Sequence, residues 1–166
     1  ARRAVEAGAG AGSTLTEAGD AFAAQAGGTS GVLWGAVLCA VGAVWGNDLP
    51  PTDAVVVDGV ESGLLTLQRL GGAQVGDKTM VDAFAPFAAG LRQQVDAGVS
   101  LATAWEAAAV AASAAAEATA PLSPRLGRAR PLAARSIGTP DAGATSFALV
   151  VRALADVVHA SRSGVR

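Results

Sequence analysis

Four glycine-containing stretches hold the residue types that could bind an anion: GGTSG at 27–31, GGAQVGDKTM at 71–80, LGRAR at 126–130 and TPDAGATS at 139–146. Glycine lets a ligand approach the main chain, and the exposed N–H groups of a helix start attract phosphate. Around that backbone, the hydroxyls of Thr29 and Ser30, the guanidinium of Arg128 and the carboxylate of Asp141 could add side-chain contacts. The second stretch nearly has the frame of a P-loop, G-x-x-x-x-G-K-[ST], starting at Gly71. Asp77 stands where the lysine belongs, and Lys78 comes one position late. A P-loop also needs a β-strand feeding it. Residues 60–70 read as helix, so P-loop chemistry is set aside. Asp77 instead reads as a helix N-cap and Lys78 as a solvated first-turn lysine. Any one of these stretches is ordinary helix punctuation, but four in one chain suit a nucleotide or oligophosphate held by loops.

Other chemistries find little support. His159 is the only histidine, which leaves neither a Ser-His-Asp triad nor a histidine metal cluster. Cys39 is the only cysteine and lies in an apolar run, where it reads as a small core residue. It forms no intrachain disulfide, and a reducing compartment is expected. With 14 acidic against 12 basic residues the chain is not a general polyanion binder. The arginines at 125, 128, 130 and 135 have no interleaved aromatics to stack bases.

The elements that must position these stretches are helices. The 166 residues are 51% hydrophobic, yet they include only three Trp, four Phe and no Tyr. An interior of small side chains is how helices pack, and no segment alternates with a period of two. Residues 14–28 read as a helix with Thr14 and Glu17 at capping-box spacing and a glycine pair as its stop. The apolar run from Ser30 to Trp45 reads as a central buried helix rather than a membrane span, because several glycines interrupt it. A turn at 47–53 precedes a helix over 53–70 with Val57, Val60, Leu64 and Leu67 on one face. The next helix, about 78–97, carries a stripe of Met80, Phe84, Phe87 and Leu91 and a bend at Pro86. Residues 101–120 form an alanine-rich helix, 121–146 a long irregular segment, and 144–162 a closing helix. Trp34, Trp45 and Trp105 are expected in the core. A single domain over 1–166 is expected, and the opening ARRAVEAG reads as the middle of a helix, as in an N-terminally truncated domain.

GGTSGVLWG, GDKTMVDAFAP and ARSIGTPDAGATS, in that order, resemble the signature stretches of the nucleotide-binding (DhaL-type) domain of the dihydroxyacetone kinase family. The resemblance implies an all-α barrel of antiparallel amphipathic helices, its first helix incomplete here, with ATP or ADP bound across loops at one end. By the same resemblance Thr29 and Ser30 hold phosphate oxygens, while Gly71 and Met80 border the adenine. Arg128 supplies a cationic fork, and Asp141, Ala142 and Gly143 close the pocket. Family members carry the aspartates that bind Mg²⁺ ahead of the region seen here, so the metal ligands are expected upstream of Ala1 and no catalytic residue is expected in this chain. Arg130-Pro131, Ala134, Thr139 and Ala142 stand where Ser-Tyr, Glu, His and Pro are common, departures that touch the substrate side more than the nucleotide. The implied activity is transfer of the γ-phosphoryl group of ATP to a primary hydroxyl of a small ketose, in the cytoplasm. The implied partner is a substrate-binding (DhaK-type) domain or subunit, with dimerisation compatible and neither nucleic acid nor membrane involved. Two alternatives stand beside this: the ADP-binding subunit of a phosphotransferase-dependent kinase, and a noncatalytic helical interaction module.

Overall fold

The computed structural model describes residues 1–127 and 130–163. The helices are α1 (Arg2–Glu6), α2 (Ala11–Ala26), α3 (Gly28–Trp45), α4 (Asp53–Gly71), α5 (Val81–Asp96), α6 (Leu101–Ala118), α7 (Ala133–Ser136) and α8 (Ala142–Ser163), with a 3-10 turn at Arg130–Leu132. No strand occurs among the described residues, and the all-α class expected from composition holds. The chain divides into two compact units, one ending at Gly72 and the other beginning at Ala73.

In the first unit, α2 and α3 approach until their backbones touch. A Cβ on Gly12 would lie 2.6 Å from the Gly42 carbonyl oxygen, and one on Gly19 would lie 2.6 Å from that of Gly35. Glycines seven residues apart on each helix therefore form the seam of an antiparallel pair. Gly27, at φ 62°, makes the reversal between them. The far end is closed by long-range bonds: Gly12 N donates to Gly46 O at 2.7 Å and Ser13 N to the Asn47 side chain at 2.9 Å. This explains why α2 starts at Ala11, three residues before the expected Thr14 cap: Asn47 and Gly46 satisfy the helix start from across the hairpin, so a local capping box is not needed. On the other flank of α3, Gly59 of α4 admits Trp45 and Val41. Thr52 caps α4 by accepting from Val55 N.

The second unit is built on the expected α5 stripe. Met80, Phe84, Phe87 and Leu91 are all buried, and α5 runs through Pro86 to Asp96. Phe84 stacks on Phe147 of α8 at 4.3 Å, while Phe87 meets Trp105 of α6 and Phe147 edge-on at 5.0 and 5.6 Å. Ala104, Ala108, Ala109, Ala112 and Ala116 give α6 a buried small-residue face. Trp105 donates its indole N–H to Val151 O at 2.8 Å.

Only Trp105 of the three tryptophans is fully in the core. Trp34 and Trp45 are partly exposed, as is Cys39, which correct the expectation for those three. The Cys39 thiol faces Asp20, and burial followed by that carboxylate pushes its pKa up, away from reactivity. By length and composition α3 and the 142–160 part of α8 could each cross a membrane. Only 22% of each stretch is buried, Gly31, Gly35, Val37 and Gly42 on α3 and Ala144, Phe147, Ala148 and Val151 on α8, which corrects the expectation of a buried central helix over Ser30–Trp45: Val32 and Val44 are exposed.

Candidate functional site

Residues 74–82 form a turn locked by two carboxylates. Asp82, 7% exposed, accepts from Gly76 N at 2.6 Å through one oxygen and from Thr79 N at 2.7 Å through the other. Asp77 accepts from Gln74 N at 2.9 Å, and its carbonyl takes Arg125 N at 3.1 Å. Helix α5 thus begins at Val81 with Met80 at its N-cap position, later than the expected start near Lys78, and Asp77 is not its cap. The expectation for Lys78 is also overturned. It is 3% exposed, with its backbone at φ 60°, and its ammonium donates to the carbonyls of Ala120 (3.3 Å), Leu122 (3.0 Å) and Ser136 (2.6 Å). A buried ammonium must be hydrogen-bonded to be tolerated, and three acceptors match its three protons.

The start of α8 is built against this turn. Asp141 accepts from Ala144 N at 2.8 Å, while its own N–H donates to the hydroxyl of buried Thr119 at 2.7 Å. A Cβ on Gly143 would lie 2.9 Å from the Asp141 carboxylate and 3.2 Å from Met80 N. Met80, Asp141 and Gly143 are therefore brought together, with Ala142 exposed between the last two. Met80 is itself only 7% exposed. Arg128 lies outside the described residues. In the first unit, Thr29 and Ser30 are exposed in the opening turn of α3, whose start carries no side-chain cap. Gly71 ends α4, where an added Cβ would lie 3.9 Å from the Leu33 side chain. Sequence reasoning missed Thr119, Asp82 and the true place of Lys78. The five-residue step from Asp77 to Asp82 across a glycine-flanked turn was a signal for the second; an alanine helix gives none for Thr119.

The Asp141 carboxyl has a raised pKa, chiefly through burial, opposed by the amides of Ala144 and Gly143 and reinforced by Asp82. A group that binds its proton more tightly when folded adds stability below its unfolded pKa and loses it as pH rises through the folded value. At neutral pH the charge therefore weighs against folding. Asp141→Asn keeps an oxygen for Ala144 N and removes the charge, so at pH 7 it is expected to melt no lower than the wild type. The gap should narrow as pH falls toward about 4, near the ordinary carboxyl range. Melting curves across pH 4–8 check this. A mutant that melts lower at pH 7 and stays lower at every pH would contradict it. Among the described residues no group of three or more His, Cys, Asp or Glu is placed to hold a metal ion.

The DAK2 domain model matches residues 1–156, across both units. This chain belongs to the DAK2 domain family. It is 55% identical over 164 residues to a D-erythrulose kinase of Mycolicibacterium smegmatis, covering 99% of this chain and 28% of the relative. It is 44% identical over 85 residues to the ADP-binding subunit DhaL of the PEP-dependent dihydroxyacetone kinase of Escherichia coli, covering 51% of this chain and 40% of that one. The crystal structure of the dihydroxyacetone kinase of C. freundii superimposes with a TM-score of 0.63 at 29% identity, over 89% of this chain and 24% of that one. The DAK2 domain described here thus spans about a quarter of the length of the erythrulose kinase.

Proposed function

We propose that residues 1–166 are a nucleotide-binding domain, holding ATP and ADP for a cytoplasmic kinase that phosphorylates a small ketose, a triose or a tetrose. The observation that carries the reading is the meeting of Met80 with Asp141 and Gly143, two separate family motifs converging at the start of α8. The two long helices that open on motif residues differ in a useful way. The first turn of α3 has no side-chain cap, so its N–H groups and the hydroxyls of Thr29 and Ser30 are suited to phosphate oxygens. Helix α8 is capped by its own Asp141, where a phosphate would meet a carboxylate. Asp141 therefore suits the hydroxyl or amine donors of the nucleoside. Met80 and Gly71 border the adenine, Arg128 contributes a cationic fork, and Ala142 and Gly143 close the pocket with backbone.

In the reaction, the primary hydroxyl oxygen of the ketose bonds to the γ-phosphorus as the bond to the β,γ-bridging oxygen breaks, releasing ADP and a proton. This chain's part is to bind and orient the nucleotide. Among the described residues no three carboxylates come together as a Mg²⁺ site would require, so no step is assigned to a metal held here. The substrate is assigned to a DhaK-type domain or subunit, and dimerisation is compatible with this arrangement. Greater coverage by the erythrulose kinase than by the ADP-binding subunit favours the ATP-dependent type over the phosphotransferase-dependent one.

Calorimetry with Mg·ADP on residues 1–166 and on the full-length protein tests the reading. The full-length protein is expected to bind with a micromolar Kd and to phosphorylate dihydroxyacetone or erythrulose with ATP. If it binds no nucleotide, a helical interaction module takes the place of the kinase reading.

A further inference from the structure

We propose that Lys78 is a positioning residue that closes the segment between α6 and α8 into the shape the nucleotide meets, an inference that rests on the nucleotide-binding reading above. The ammonium takes two carbonyls at the beginning of that segment, Ala120 and Leu122, and one near its end, Ser136. One nitrogen thus ties together two stretches of chain that converge again before Asp141. Three more bonds from the described part of the segment reach the same two places, the 77–78 turn and the C-terminal end of α6. Gly138 N donates to Ala120 O at 2.9 Å, Arg125 N to Asp77 O, and Asp141 N to the Thr119 hydroxyl. Arg125 also sets its guanidinium 3.6 Å from the Asp77 carboxylate.

The cost of this arrangement argues that it has a purpose. Lys78 is the only non-glycine residue with positive φ among those described, and its charge is buried with carbonyl partners at hydrogen-bonding distance. A buried polar group held by a complete set of bonds fixes one geometry, and loses it when one member is removed. The segment that it closes contains Arg128 and leads directly into Asp141, Ala142 and Gly143. Lys78 itself is bonded to backbone, so it acts on the nucleotide through the segment.

Amide hydrogen exchange and ADP titration on the full-length protein, wild type against Lys78→Met, test this. The variant keeps most of the stem and removes the donors. Exchange at the Leu122, Gly138 and Asp141 amides is expected to rise at least tenfold while the interior amides of α5 and α6 keep their protection, and the Kd for ADP is expected to rise at least tenfold. Unchanged exchange at those amides overturns the closure. Faster exchange with wild-type affinity makes the lysine purely structural and overturns the positioning role. Should Lys78→Met fail to fold, Lys78→Arg keeps the charge but spreads its donors over a plane, and is expected to raise exchange and Kd by smaller factors. Wild-type values for both in that variant overturn the proposal. ADP binding by the wild type separately decides the nucleotide reading, and the exchange pattern decides the closure whatever that result.

Discussion

Gly35→Val is expected to destabilise the Ala1–Gly72 unit by at least about 3 kcal/mol, the upper end of what overpacking costs. A Cβ at this position would lie 2.7 Å from the Gly19 carbonyl oxygen and 2.8 Å from the Ala23 Cβ. Neither obstacle is the far end of a flexible side chain, so relief requires α2 and α3 to separate. Separation also undoes their other contact, Gly12 against Gly42, because two glycines on each rigid helix share one seam. Gly35→Ala should cost less, about 1–2 kcal/mol, since alanine's better helix propensity offsets part of the clash by up to about 1 kcal/mol. Gly90 of α5 is the control. A Cβ there meets nothing within 4 Å, and Gly90→Ala is expected to be neutral or stabilising by up to about 1 kcal/mol. Urea unfolding measures all three variants. Thr29 and Ser30 stand in the opening turn of the helix that Gly35 seats, so the valine variant should also weaken ADP binding. Unfolding of Gly35→Val at the wild-type urea midpoint would mean that the two backbones are not in contact.

The contrast between the two units shows what can be read from the chain alone. The α5 stripe was legible because large apolar residues at three- and four-residue steps have one explanation, and all four proved buried. The α2–α3 seam was written in glycines at 12, 19, 35 and 42, a spacing visible in the sequence but easily taken for weak helix. Start points were less legible where distant groups did the capping. Asn47 fixes the beginning of α2 from 34 residues away, and no local pattern at Thr14 could reveal it. The turn before α5 misled for a related reason. A lysine beside an aspartate at a helix start is usually solvated, and only tertiary structure brings the carbonyls of Ala120, Leu122 and Ser136 to where its ammonium can be buried. Motif order along the chain was enough to identify the family, since that depends on residue identity and spacing. Which motif residues touch depends on packing, and the meeting of Met80 with Gly143 needed coordinates.

Phe87→Ala is expected to lower the stability of the second unit by about 3–5 kcal/mol, the cost of emptying a closed aromatic site. Phe87 is 1% exposed and meets two rings edge-on, those of Trp105 and Phe147, so neighbouring helices have little freedom to collapse into the void. Phe87→Leu separates volume from ring geometry. It keeps most of the apolar bulk and loses two ring pairs, each worth about 0.5–1.5 kcal/mol, so it should fall between the wild type and alanine. The consequence for function follows from position along the helices. Phe84 lies one turn after Met80 on α5, and Phe147 one turn after Gly143 on α8; the two are stacked 4.3 Å apart. That stack holds the two helix starts together, and Phe87 supports it from below through its contact with Phe147. ADP affinity should therefore fall in the order wild type, leucine, alanine, even at temperatures where each variant remains folded. If the alanine variant loses its expected stability while binding ADP as tightly as the wild type, the aromatic cluster supports the fold without setting how Met80 meets Gly143, and nucleotide contacts must be sought elsewhere in the chain.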